Sequence, residues 1–326
     1  MISARKNSLR VVSDAQKIWP YLNGVFCIYK PSNLTVNQTR LTLISNICRD
    51  LNELSVRPPR KRVLIEPSTD CKYLVKTQND LSDHVLVVGE RYQNCDIIMS
   101  GSNNLGKLTS GVMTFGINRG AKIAGKIRDN RPIRVYHVTG KLGKSTESHF
   151  YDSPTTAKAT FDHVQLGKLN SLLTSLQASH QRKMYEMCGV DMQSQSAYEL
   201  AVKGPIRPAV SNIPLIYSIR CIEYKRPFFT LEIHACNESE NYLGILVHEI
   251  GIELKSLAYC SQIRCIRESH FTLEDALIKR HWNVEALIGN LKRCRDILNK
   301  HPEIIAQTNP ILENMNENSN KEEQSQ

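Results

Sequence analysis

The sequence predicts a single mixed α/β domain of the α+β class, with helices packed around a largely antiparallel sheet. Strand-like runs alternate with helical segments along the chain, and residues 216–236 have the pattern of a hairpin interrupted by Lys225-Arg226-Pro227. Residues 162–179 have the spacing of an amphipathic helix. Its apolar face is formed by Leu166, Leu169, Leu172, Leu173 and Leu176. The 326 residues are 41% hydrophobic, which is enough for a sizeable core.

The first half of the chain contains most of the predicted strands. Gly24–Lys30 is strand-like and ends at Pro31 in a polar turn. Residues 36–54 then have helical spacing. Four more strands are predicted, over residues 84–89, 96–101, 111–117 and 133–142.

The second half is predicted to be richer in helices. Beyond the amphipathic helix and the hairpin, helices are predicted over residues 193–203, 242–254 and 284–298. Residues 258–271 have the pattern of a strand pair, and Thr272 with Asp275 resembles a helix start. From residue 313 the composition is Asn, Glu, Ser and Gln, which predicts a disordered tail.

The charge of the chain is concentrated near its N-terminus. Residues 1–63 carry 11 Lys and Arg against 3 Asp and Glu, so they contribute +8 of the net charge of +10. A surface of this kind attracts polyanions such as RNA, although a basic soluble protein without such a partner is the alternative. The densest cluster is Arg57, Arg60, Lys61 and Arg62. Two prolines within it predict an exposed loop that contacts phosphate, or one that is merely solvated.

The cysteines and the N-terminus bear on the compartment. Ten cysteines are scattered without a CxxC pair, which argues against a zinc site or a disulfide framework and favours reduced intracellular thiols. No apolar stretch is long enough to span a membrane. Residues 1–23 are basic and contain serines, so they form either a mitochondrial targeting segment or an ordinary basic extension.

Four segments occur in an order that chance does not readily explain. They are GVFCIYKP from Gly24, LGKLTSGV from Leu105, YHVTGKLGKST from Tyr136, and YLGILVHEIG from Tyr242, the last followed by Gln262-Ile-Arg264. Ser179-His-Gln and the stretch from Ala197 to Pro208 lie between them. Together these segments resemble the TruB family of pseudouridine synthases, and especially its animal mitochondrial branch.

The resemblance implies a pseudouridine synthase catalytic domain with an RNA cleft over residues 24–300. It would lack the C-terminal RNA-binding module of bacterial members, and residues 301–326 would form the polar and acidic tail. The family reaction detaches uracil from ribose, turns it and rejoins it through carbon, without a metal or other cofactor. A stacked base must first be flipped into a pocket for this chemistry. Mitochondrial tRNA, rRNA or mRNA would be the partner, with RNA-processing proteins of the mitochondrial matrix as further candidates.

The resemblance also assigns roles to single residues. Tyr136 is the candidate for stacking on the base, with a structural strand tyrosine as the alternative. Lys30 is a candidate phosphate contact, although a lysine at a strand end is commonly just solvated. Arg264 is predicted to shape the RNA pocket or, alternatively, to form an ordinary interstrand ion pair.

The family's catalytic ion pair is missing from the expected positions. Aligned on Ser110-Gly111-Val112, the catalytic aspartate falls at Gly106, and residues 97–128 contain no Asp or Glu. Aligned on the later helix, the partner arginine falls at Gly244. Losing both charges avoids stranding one of them in a buried site. Glu147 and Asp152 are candidate substitutes for the aspartate, with solvated surface acids as the alternative interpretation.

Two hypotheses about function remain at this point. The chain is either an RNA-modifying enzyme that forms pseudouridine or a non-catalytic RNA-binding chaperone or assembly factor. The loss at Gly106 and Gly244 favours the second. Nucleotide hydrolysis is disfavoured, because the P-loop-like runs ending at Leu108 and Ser145 each lack a required residue.

Overall fold

A computed structural model describes residues 14–54, 60–67, 73–202 and 213–306. In these residues the strands are β1 (Gly24–Lys30), β2 (Lys61–Pro67), β3 (Tyr73–Asn79), β4 (Met99–Gly101), β5 (Thr109–Ile117), β6 (Arg134–Leu142), β7 (Lys144–Thr146), β8 (Thr155–Lys158), β9 (Leu215–Lys225), β10 (Phe228–Cys236), β11 (Ala258–Glu268) and β12 (Phe271–Thr272). The α-helices are α1 (Ala15–Ile18), α2 (Val36–Glu53), α3 (Val85–Val88), α4 (Gly120–Asp129), α5 (Leu166–Met187), α6 (Gln195–Val202), α7 (Glu240–Glu253) and α8 (Val284–Lys300).

The central sheet has the strand order β1-β5-β11-β6-β10-β9, with β4 added beside β5 and β12 beside β11. Its strands pair antiparallel, except that β5 and β11 run parallel. Two smaller hairpins, β2–β3 and β7–β8, lie outside this sheet. The predicted class, an α+β fold with a largely antiparallel sheet and flanking helices, is confirmed.

The parallel contact between β5 and β11 depends on a glycine. Gly111 has a φ of +129°, and a Cβ built on it would stand 2.6 Å from the backbone nitrogen of Cys265 and would overlap the Cys265 carbonyl oxygen. Only glycine allows so close an approach of two backbones. The approach fixes the register in which Thr109, the first residue of β5, lies opposite Ile263.

Helices cover the sheet and complete the core. Helix α7 packs on β11, α5 packs on β9, and α8 packs on β1. The inward face of α7 buries Leu243, Leu246, Val247 and Ile250. None of the helices in the described segments is both long and apolar enough to cross a membrane.

Most of the elements with strong periodicity are confirmed. Strand β1 has the predicted bounds, and β5, β6, α2, α7, α8 and the β9–β10 hairpin agree with prediction within a few residues. Residues 258–271 contain one long strand, β11, and the start of the short β12. The amphipathic helix begins later and ends later than predicted, at Leu166 and Met187.

Several local predictions were wrong. Residues 84–89 contain the short helix α3 instead of a strand, and of residues 96–101 only Met99–Gly101 form one. Helix α4 and the β2–β3 hairpin were not predicted, and Lys61 and Arg62 begin β2 instead of lying in a loop. No helix starts at Thr272, whose backbone N–H and hydroxyl both donate to Asp275 Oδ2 at 2.9 Å and close a turn.

The domain boundaries at residues 24 and 300 stay a prediction, and some residues beyond each of them are packed. Residues 1–13 and 307–326 lie outside the described residues. Ala15, Ile18 and Leu22, which belong to the predicted extension of residues 1–23, are buried in the core. Ile304 in the predicted tail is buried as well. The packed part of the chain therefore includes residues on both sides of 24–300.

Candidate active site

Gly106 lies in the loop that leads from β4 into β5, next to Glu240 at the start of α7. A Cβ built on Gly106 would overlap the carboxyl carbon, Oε2 and Cβ of Glu240. The space that a side chain at position 106 would fill is therefore occupied by the carboxylate of Glu240. A carboxylate stands where the family aspartate was expected, and it comes from a different element.

Two hydrogen bonds fix this carboxylate. Glu240 Oε2 accepts from the backbone N–H of Thr109 at 2.6 Å and from the Thr109 hydroxyl at 2.6 Å. Glu240 is also the first residue of α7, behind the N-cap Ser239, whose hydroxyl accepts from the N–H of Tyr242 at 3.2 Å. The side chain is half-buried and retains some exposed surface.

Lys30 lies in the same neighbourhood, at the end of β1. It has no exposed surface, and its ammonium group donates to the carbonyl oxygens of Thr109 at 2.6 Å and Pro31 at 3.2 Å. Burial lowers the pKa of Lys30 to about 8, while the negative charge of Glu240 acts in the opposite direction. This interior position differs from the exposed one that the sequence predicted, and a phosphate contact by Lys30 stays a prediction.

The second glycine position is filled by an aromatic ring. A Cβ built on Gly244 would stand 2.7 Å from both Cε2 and Cζ of Phe150. Phe150 follows β7 and is only 5% exposed, so its ring packs tightly against this turn of α7. No room remains in this arrangement for an arginine side chain at position 244.

Tyr136, on β6, belongs to a buried polar group with Arg134 and Glu238. The side chain is 2% exposed, and its hydroxyl donates to Glu238 Oε1 at 2.6 Å. Arg134 Nε lies 2.6 Å from the same oxygen and forms an ion pair with it. Burial raises the pKa of Tyr136 well above its ordinary value. The ring has almost no open face in this structure, and its role in base stacking stays a prediction.

The two acids predicted as substitutes are not the ones brought to position 106. Glu147 and Asp152 are exposed residues between β7 and β8. Within the described part of the chain, neither carboxylate bonds to a residue around Gly106. Glu240 escaped the sequence analysis because the acids weighed as substitutes were those near Gly106 and those that follow the Tyr136 strand. Its one signal in the sequence, an acid directly after the helix-capping Ser239, also suits an ordinary helix start.

The remaining predicted RNA contacts that the structure describes lie on the surface. Arg264 is exposed on β11, with its guanidinium carbon 5.5 Å from the centre of the Tyr29 ring, so it makes a cation–π contact where an interstrand ion pair was the alternative. Arg60, Lys61 and Arg62 are exposed at the start of the β2–β3 hairpin, and Arg57 lies outside the described residues. Contacts of all four with RNA stay predictions.

Comparisons with known proteins supply the family context for this geometry. The N-terminal domain of the TruB family of pseudouridylate synthases matches residues 102–241. Pseudouridylate synthase TRUB2, mitochondrial, from Xenopus tropicalis is 35% identical over 288 residues, covering 86% of this chain and 88% of the relative. The Homo sapiens protein of the same name is 34% identical over 270 residues, covering 81% of each. The crystal structure of the archaeal box H/ACA sRNP Nop10-Cbf5 complex has a TM-score of 0.43 at 12% identity, covering 90% of this chain and 61% of the other.

Proposed function

The chain belongs to the TruB family of pseudouridylate synthases, and on this premise we propose that it isomerises uridine to pseudouridine in mitochondrial RNA. It is a TruB-type pseudouridine synthase homologue, and like the relatives named above it is mitochondrial. The RNA classes proposed as substrates are tRNA, rRNA and mRNA. RNA-processing proteins of the same compartment, the matrix, are its proposed partners.

The observation that carries this proposal is the carboxylate of Glu240, which occupies the space beside Gly106. Breaking the bond between ribose C1′ and uracil N1 leaves positive charge on the sugar, and a fixed carboxylate beside C1′ stabilises it. The Glu240 carboxylate, which accepts two hydrogen bonds from Thr109 at 2.6 Å, supports this role. The rival hypothesis of a non-catalytic RNA-binding protein rested on the glycines at positions 106 and 244. The carboxylate of Glu240 in the space beside Gly106 weakens that argument.

The surface charge is consistent with an RNA substrate. Arg264 and the hairpin residues Arg60, Lys61 and Arg62 present exposed cations, and the whole chain carries a net charge of +10. Cations of this kind bind the phosphate backbone without reading sequence. They would hold the RNA while a single uridine is flipped out of its stack.

The test is single-turnover isomerisation by purified protein in excess over unmodified transcripts of mitochondrial tRNA, rRNA and mRNA. The uridines carry tritium at C5, which is released as water when C5 forms its new bond to C1′. We expect first-order release from at least one transcript. Tight binding without release from any of them would show that the protein is an RNA-binding protein without turnover.

A further inference from the structure

We propose that Glu240 is the catalytic carboxylate of this protein, delivered from the start of α7 into the space left by Gly106, and that Lys30 is the cation that positions it. This proposal rests on the proposed function and names the group that performs its chemistry. The family resemblance places the acid on the loop before β5, whereas here the acid is supplied by a helix much later in the chain.

The first argument is steric. A Cβ at position 106 would overlap the carboxyl group of Glu240, so a side chain at 106 and the observed position of Glu240 exclude each other. Gly106 itself does not have a positive φ, so its backbone does not require glycine. What requires glycine at this position is the presence of the Glu240 side chain. The glycine at position 106 therefore makes room for the carboxylate of Glu240.

The second argument is the way in which the carboxylate is held. Both hydrogen bonds, from the backbone N–H and the hydroxyl of Thr109, go to Oε2 at 2.6 Å. Among the described residues none donates a hydrogen bond to Oε1. One oxygen is thus fixed while the other remains available, on a side chain that keeps exposed surface.

The third argument is the charge of the surroundings. Lys30 is fully buried and its ammonium is bonded to the carbonyl of Thr109, the same residue that holds Glu240. The electrostatic attraction of Glu240 acts on this ammonium. The family resemblance places the cation of this pair at the Gly244 position as an arginine, whereas here the cation is Lys30, which is linked to Glu240 through Thr109. Because Phe150 packs on Gly244 and leaves no room for an arginine there, the cation of this site comes from β1 as Lys30.

The chemistry that follows is balanced without a further reactant. As the C1′–N1 bond breaks, its electron pair passes to the uracil ring, and Glu240 Oε1 stabilises the positive charge that develops at C1′. After the base turns, C5 bonds to C1′ and loses its hydrogen as a proton, while N1 gains a proton. No atom is gained or lost overall and nothing is oxidised or reduced.

The test compares Glu240→Gln with a matched control on the same helix. Glu249 is an exposed glutamate of α7, so Glu249→Gln makes the same chemical change away from the site. In the single-turnover assay we expect Glu240→Gln to reduce the rate by about 10²- to 10⁴-fold. RNA affinity should stay within about threefold of the unchanged protein, because one carboxylate contributes little to phosphate binding. The rate of Glu249→Gln should match that of the unchanged protein.

The outcomes separate the two proposals. If the unchanged protein turns over and Glu240→Gln is equally fast, this assignment of Glu240 is overturned while the proposed function stands. If the unchanged protein binds RNA and never turns over, both fail. Should Glu240→Gln fail to fold, the decision passes to Gly106→Asp combined with Glu240→Ala, which moves the carboxylate back to the loop. A rate well above that of Glu240→Ala alone supports the proposal, and an equal rate overturns it.

Discussion

Lys30 has no exposed surface at the end of β1, and this burial decides its chemistry. Its pKa is lowered to about 8, so the side chain is charged at neutral pH and loses its proton in a range that ordinary lysines do not reach. The charged form is the one that attracts Glu240. Conversion to the neutral form removes the cation from beside the carboxylate.

The single-turnover rate should therefore fall as pH rises through about 8. Folding stability should respond in the opposite sense, because a lysine whose pKa is lowered on folding costs stability while it is charged, and this cost disappears as pH rises from about 8 towards 10.5. A pH–rate profile from 6 to 9.5 measures the effect. Lys30→Met should be slower at pH 7 and should lack the decline, and a decline that survives this substitution would assign it to another group.

At the scale of single residues, the sequence predicted positions better than roles. It predicted that Gly106 and Gly244 would lie in the site. Gly106 faces Glu240 and Gly244 faces Phe150, and these contacts identify what fills the space at each position. It could not predict Glu240, because the contact joins two residues far apart in the chain, and local spacing contains no information about such a pair. The burial of Lys30 was missed for the same reason, whereas a structural position for Tyr136 was one of the two alternatives.

Helix α7 connects the site to the sheet, and its packing against Phe150 can be tested separately from catalysis. Gly244→Ala places a Cβ 2.7 Å from two ring carbons of a side chain that is 5% exposed. Overpacking of this kind should reduce the free energy of unfolding by about 1–3 kcal/mol, which urea denaturation measures.

The matched control is Gly289→Ala on α8, where a Cβ would meet nothing within 4 Å. There the better helix propensity of alanine should stabilise the protein by up to about 1 kcal/mol. Phe150→Ala is itself destabilising, so the comparison is made within that background. There, adding Gly244→Ala should cost little further free energy of unfolding, because the ring that it would meet is gone. Equal stability of Gly244→Ala and the unchanged protein would mean that Phe150 moves aside without cost, and the tight packing inferred here would be wrong.

Elements were predictable where one face is buried and not where both faces are exposed. Strand β6 and helix α8 have a regular burial pattern that their sequences display, and strand β5 is buried along its whole length. The β2–β3 hairpin exposes nearly all of its residues, so no inward face marked it in the sequence. Residues 84–89 show the opposite error, because a strand was predicted there and none is present. Their apolar run resembles a buried strand, but Leu86 is 90% exposed in a single helical turn.

At the scale of the whole molecule, the sheet order brings the site together. The loop before β5 and the end of β1 meet because these strands are neighbours, and α7 reaches them because it packs on β11, the next strand. The sequence predicted the class of this fold and several of its strands. The parallel pairing of β5 with β11 depends on contacts between distant segments, of which only Gly111 left a local mark.

The net charge of +10 raises the question of whether RNA binding depends on overall charge or on one surface. The two can be separated with triple alanine variants of equal charge change, one at Arg60, Lys61 and Arg62 of the hairpin, and one at the exposed Lys122, Lys126 and Arg128 of α4.

For both variants, as for the unchanged protein, affinity measured by filter binding should fall steeply as salt increases. If the hairpin contacts phosphate, its variant alone should lower the slope of log affinity against log salt by about one unit for each lost contact. Equal weakening by both variants would assign the effect to the overall field, and an affinity unchanged by salt would exclude phosphate-driven binding altogether.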